Sequence, residues 1–116
     1  MVQVYCEEKG GRLRCDINGH ANLKNIQQLD VLCACCTTLA NTLALNVMTY
    51  KESGMLEGDE VIYLGEDGEG RARISCKPTA YAYPIVKSVF SGLTAGFEML
   101  SKLYPGEVEF IRETEK

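Results

Sequence analysis

The run DVLCACCTTLANTLALNVMTY, Asp30 to Tyr50, decides the fold. Within it Leu32, Cys36, Leu39 (with Ala40), Leu43 and Val47 recur at three- and four-residue steps. Only a helix brings positions so spaced onto one face. Asp30 stands where a helix cap belongs, because its carboxylate can accept from the unpaired amides of a first turn. The spacing predicts a helix from Asp30 to Tyr50 that ends near Glu52-Ser53-Gly54.

On either side of this segment the period drops to two. Val2, Val4 and Cys6 alternate with Gln3, Tyr5 and Glu7, and Leu13, Cys15 and Ile17 alternate again after the turn Lys9-Gly10-Gly11-Arg12. Together they read as a hairpin that ends at Asn18-Gly19. Beyond the helix, Val61 and Tyr63 mark one strand. Ala72, Ile74 and Cys76, set against Arg71, Arg73 and Ser75, mark another, and the polar Gly65 to Gly70 stretch turns between them. Pro84 fits the start of a second helix. Its apolar stripe is Val86, Val89, Phe90, Leu93, Phe97, Leu100 and Tyr104, and Pro105-Gly106 stops it. Gly92 and Gly96, one turn apart, suggest close packing, in the core or between copies. Val108 and Phe110 against Glu107 and Glu109 give a final strand.

The order is ββαββαβ. Helices do not alternate one-for-one with strands, so the class is α+β rather than doubly wound. The expected architecture has two layers, with two helices on one face of a mostly antiparallel sheet. A chain of 116 residues is a single domain, 1–116.

Hydrophobic residues make up 46% and charged residues 24%, as in ordinary globular proteins. Uninterrupted apolar runs fall short of the roughly 20 residues of a membrane span. The start, Met1 to Glu7, lacks a basic region followed by an apolar one, so neither membrane span nor secretory signal is expected. A net charge of -4 argues against general nucleic-acid binding, which needs cations to replace counterions on phosphate. Three of the six cysteines, Cys33, Cys35 and Cys36, crowd into one helix, where neighbours bridge poorly. Reduced thiols in a cytoplasmic protein are expected rather than a secreted disulfide framework.

Two features carry chemistry. Gly19-His20-Ala21 follows a strand at the mouth of a loop, and Cys33 follows the cap residue Asp30. A thiol in a first helical turn sits among unpaired amides and partial positive charge, so it ionises more easily. A histidine in reach would complete an activated nucleophile, and the amides could hold an oxyanion. Taken alone, a loop histidine is usually a surface residue and a cysteine on an apolar helix usually a small packing residue.

The pair reads differently as a pattern. Gly19-His20-Ala21, a short loop, then Asp30-Val31-Leu32-Cys33-Ala34 opening a helix, resembles the signature of the ribosomal-processing cysteine protease (Prp) family. Ile74-Ser75-Cys76 in a strand, and Gly96-Phe97-Glu98-Met99-Leu100 followed by Leu103-Tyr104-Pro105, extend the likeness over nearly the whole chain. The resemblance implies a small α+β cysteine protease, generally a homodimer, with a Cys-His dyad and no cofactor or metal. It places the nucleophile on Cys33 and the base on His20, with Gly19, Ala21, Asp30, Ala34 and Thr37 in supporting positions. It implies a peptide substrate: the N-terminal extension of bacterial large-subunit ribosomal protein twenty-seven, in precursor form. The net charge and the short apolar runs point to no nucleic-acid or membrane partner.

Several positions depart from the pattern. The segment Asn22 to Leu29 has no Gly or Pro where relatives often have a glycine-rich loop. Cys35 and Cys36 replace small residues, and Thr37 stands where Ser is usual. Two alternatives follow: a phage-type relative acting on a phage structural protein, and a non-catalytic dimeric assembly or binding protein of the same fold. Cys33-Ala34-Cys35-Cys36 also contains a C-x-x-C. A zinc site would need a second such pair, which the sequence lacks. Redox control of Cys33 by Cys36 is a further expectation.

Overall fold

The computed structural model describes residues 1–19, 26–65 and 70–114, and of 26–30 the backbone alone. Its sheet starts from the N-terminal hairpin. β1 (Val2–Lys9) and β2 (Arg12–Gly19) are joined by Gly10-Gly11, at φ 61° and 79°. Two consecutive residues at positive φ give the turn whose twist matches paired strands. The register runs from Lys9↔Arg12 to Val2↔Gly19 without a slip. β4 (Arg71–Cys76) pairs antiparallel with β2, and β3 (Val61–Tyr63) antiparallel with β4. β5 (Val108–Thr114) lies parallel to β1. The sheet order is β3-β4-β2-β1-β5, so the sheet is mixed and mostly antiparallel.

Helices α1 (Ile26–Glu52) and α2 (Tyr83–Leu103) complete the predicted ββαββαβ order. They cover one face of the sheet. Val2, Val4, Cys6, Leu13, Cys15, Ile17, Ile74 and Cys76 form a core with Leu32, Leu43 and Val47 of α1 and Val86, Phe90, Phe97 and Leu100 of α2. Burying each large side chain among these is worth about 1.5–3 kcal/mol. Of the two α2 glycines, Gly96 makes the helix contact. A Cβ there would stand 2.7 Å from Leu39 Cδ2, whereas one at Gly92 would meet nothing within 4 Å.

One expectation needs correction. α1 begins at Ile26, so Asp30 is not its cap. Ile26-Gln27-Gln28-Leu29 contains no helix breaker, and Ile26 and Leu29 carry the apolar spacing of Leu32 upstream. Cys33 therefore lies about two turns into the helix rather than in its first turn. Val31–Glu52 is, by length and composition alone, apolar enough to cross a membrane, a test that core helices also meet. The apolar stretch is broken by Thr and Asn, which is why it does not read as an uninterrupted run. Several of these bond back to carbonyls of their own helix: Asn41 to Thr37 O (2.8 Å), Thr42 to Thr38 O (2.7 Å) and Asn46 to Thr42 O (2.8 Å). The opposite stripe, from Leu32 to Tyr50, packs into the domain core, as a core helix does.

The other sheet face is polar. Asp16 accepts from Arg14 Nε (2.8 Å) and Arg73 Nε (2.9 Å). Partial burial pushes its carboxyl up, but these two guanidinium groups outweigh it and hold the acid below its usual range.

Alkaline pH acts on the opposite layer. Burial pushes the Cys36 and Cys76 thiols up to about 11 from the usual 9.0. The folded chain thus keeps two protons that the unfolded chain releases. This stabilisation is fully present below pH 9 and is lost as pH rises through 11. The urea midpoint should fall steadily over that window, and a flat midpoint would contradict the assignment.

Candidate functional site

At one end of the sheet the start of β4, the end of β2 and the first half of α1 enclose a cavity of about 360 Å³. Cys33, Thr37 and Asn41 reach it from α1, Gly19 from β2 and Arg71 from β4. Cys33, Thr37 and Asn41 follow one another at four-residue steps, so they share one helix face. The register Asn18↔Arg71 places the last residues of β2 beside the first of β4. Gly19 N donates to Gly70 O at 2.8 Å and closes this corner.

Gly19 itself cannot be replaced cheaply. Its φ is +106°, and a Cβ would stand 2.1 Å from Met1 O, a main-chain atom that cannot swing aside. Gly19→Ala should cost about 2 kcal/mol or more and lower the thermal midpoint by roughly 10 °C. An unchanged midpoint in a thermal melt would show that this corner rearranges freely.

The three thiols of α1 stand in different surroundings. Cys33 is half-buried and lines the cavity. Cys36 also borders it but is buried, and its thiol is pushed up to about 11, first by burial and then by Cys33 and Cys35. Cys35 is half-buried and packs against the core. Ala34 and Thr37 are exposed. All six cysteines are free thiols. Among the described residues no three His, Cys, Asp or Glu side chains converge as a metal site would require.

Of the residues singled out from the sequence, Gly19, Cys33 and Thr37 meet in this cavity. His20 and Ala21 lie outside the described residues, as does the side chain of Asp30. Sequence reasoning missed Arg71 and Asn41. Neither belongs to a motif, and only the strand register and the helical step from Cys33 point to them.

No protein-family model matches the chain, and no curated protein does. Solved structures do. SMU.848 from Streptococcus mutans matches with a TM-score of 0.62 at 21% identity, covering 99% of each chain. The ribosomal processing protease Prp from S. aureus, in complex with a substrate peptide, matches with a TM-score of 0.60 at 12% identity. The same protease with a covalently linked product peptide gives 0.59 at 13% identity. Both matches cover 97% of this chain and 99% of the other. At such identities the likeness shows the fold, and the fold of this chain is that of the ribosomal processing protease Prp.

Proposed function

We propose that this chain is a cysteine endopeptidase that removes the N-terminal extension of large-subunit ribosomal protein twenty-seven, with Cys33 as nucleophile and His20 as base. The observation that carries this reading is a cavity lined both by Cys33 and by Gly19, the residue before His20, in a chain with the Prp fold.

The cycle runs as acyl transfer. His20 takes the Cys33 proton, and the thiolate attacks the peptide carbonyl. His20 then protonates the leaving amine, and water releases the acyl-enzyme. Because α1 starts at Ile26, the open amides of its first turn are not beside Cys33. Among the described residues, the Thr37 hydroxyl and the Arg71 guanidinium, both from residues that line the cavity, can donate to the oxyanion. Ala34 keeps the helix surface beside the thiol low, and Asp30, one turn upstream of Cys33, supports His20. The enzyme acts as a cytoplasmic homodimer without cofactor or metal.

The test is mass spectrometry of the extended ribosomal protein after incubation with the native chain. A single cut near the end of the extension is expected. An intact precursor would reject this substrate.

A further inference from the structure

A second thiol site lies apart from the Cys33 cavity, near the turn end of the hairpin. Cys6 and Cys15 are directly opposite one another in β1 and β2. Counting from the two-residue turn, Lys9↔Arg12 is a hydrogen-bonded pair, Glu8↔Leu13 is not, Glu7↔Arg14 is, and Cys6↔Cys15 is not. Opposite residues of that last kind have Cα atoms about 4.5 Å apart and the closer side chains. This falls at the short end of the range a disulfide spans, about 4.4–6.8 Å. Both side chains point into the core, at 5% and 0% exposure, and both are free thiols.

Burial alone would make the pair inert, but Cys6 is not sealed. It lines a cavity of about 110 Å³ bounded by Thr94 and Lys87 of α2 and Arg112 of β5. Arg112 is the register partner of Cys6 across the parallel pair, and its Nη2 donates to Thr94 Oγ1 at 3.0 Å. The two thiols are thus unequal. The Cys15 thiol donates to Cys6, and Arg112 and Thr94 face the same sulfur, so Cys6 is held below the usual thiol range. Cys15, the donor in that bond and fully enclosed, is pushed up.

We propose that Cys6 and Cys15 form a peroxide-sensitive redox pair, in which Cys6 meets the oxidant through the Arg112–Thr94 cavity and Cys15 resolves the product as a cross-strand disulfide. The Cys6 thiolate attacks one oxygen of hydrogen peroxide, and the O–O bond breaks. Hydroxide leaves and takes up a proton as water, so peroxide is reduced by two electrons and Cys6 becomes a sulfenic acid. The Cys15 sulfur then attacks the Cys6 sulfur. The hydroxyl of the sulfenic acid and the Cys15 proton leave as a second water, and the disulfide remains. The cavity admits a peroxide but not a bulky thiol reagent. Cys76 is equally buried, but its β2 partner is Leu13, so it has no thiol to resolve it.

The experiment is peroxide titration of the folded, full-length native chain, followed by blocking of free thiols in denaturant and peptide mapping without reductant. The expected result is a Cys6–Cys15 bridged peptide, two hydrogens lighter than its parts, with Cys76 still free. In Cys15→Ala the reaction should stop at the sulfenic acid, so that a 1,3-dione added with the denaturant, after the peroxide is removed, labels Cys6 about tenfold more than in the native chain. The proposal is overturned if Cys6 and Cys15 are both recovered as blocked free thiols at doses that oxidise Cys33. It is equally overturned if Cys6 labelling does not rise in Cys15→Ala. Neither reading depends on whether the chain cleaves peptides.

Discussion

Cys33→Ala is expected to give a folded chain whose peptide cleavage falls by on the order of 10³-fold or more, because no other thiol can take its place. The nearest rival is Cys36, which borders the same cavity. Its thiol is pushed up to about 11, so at pH 7 only about one molecule in ten thousand carries the thiolate there. Cys35 is half-buried against the core rather than in the cavity wall. Cys35→Ala should therefore keep near-native turnover, and Cys36→Ala should lose stability before it loses chemistry. His20→Ala should match Cys33→Ala in rate, and the double variant should be no worse than either, since base and nucleophile act as a unit. The assay is single-turnover cleavage by mass spectrometry, with circular dichroism to confirm folding. Native-rate cleavage by Cys33→Ala would remove the nucleophile from this site.

The fold was legible because its signals are periodic. Val2, Val4 and Cys6 are buried at every second position, as their alternation requires, and so are Leu13, Cys15 and Ile17. Gly10-Gly11 has one economical use, a two-residue turn at positive φ, and that fixes the register of everything paired to it. The strand order was not legible. Nothing in β5 alone says that it lies parallel to β1 at the far edge from β3; the pairing depends on how α2 crosses the sheet. The start of α1 was misread for a local reason. Asp30 is a good cap residue, but helix propagation through Gln27 and Gln28 outweighs one capping bond when no breaker intervenes.

The site was legible in pieces. Cys33 and Gly19 stood out as members of the two short motifs, Gly19-His20-Ala21 and Asp30-Val31-Leu32-Cys33-Ala34, and they do line one cavity. Thr94 shows the limit. It sits in the buried stripe of α2 where an apolar residue is the rule, at 2% exposure. Its hydroxyl is satisfied by Ser91 O within the helix and by Arg112 from a strand far along the chain. A sequence pattern sees one polar residue on an apolar face. Only the packed structure shows that it sits over Cys6 and bounds a second cavity.

Phe97→Ala should be the most destabilising single change in the core. The ring is fully buried, on the α2 turn where Gly96 lets Leu39 of α1 approach. Removing such a ring leaves a cavity that helices fixed to a sheet cannot close, at a cost of about 3–5 kcal/mol. A domain of this size has about 5–15 kcal/mol in total, so a substantial unfolded fraction is expected at 37 °C. Phe97→Leu keeps most of the volume and should cost less than about 1.5 kcal/mol. Urea unfolding of the three chains measures both steps, and a native midpoint in Phe97→Ala would show that the α1–α2 contact is not packed as described. The comparison also separates folding from chemistry. Phe97 is not among the residues that line the Cys33 cavity, so cleavage by Phe97→Ala should fall only in proportion to its folded fraction and recover on cooling. Cys33→Ala should stay inactive at every temperature at which it is folded.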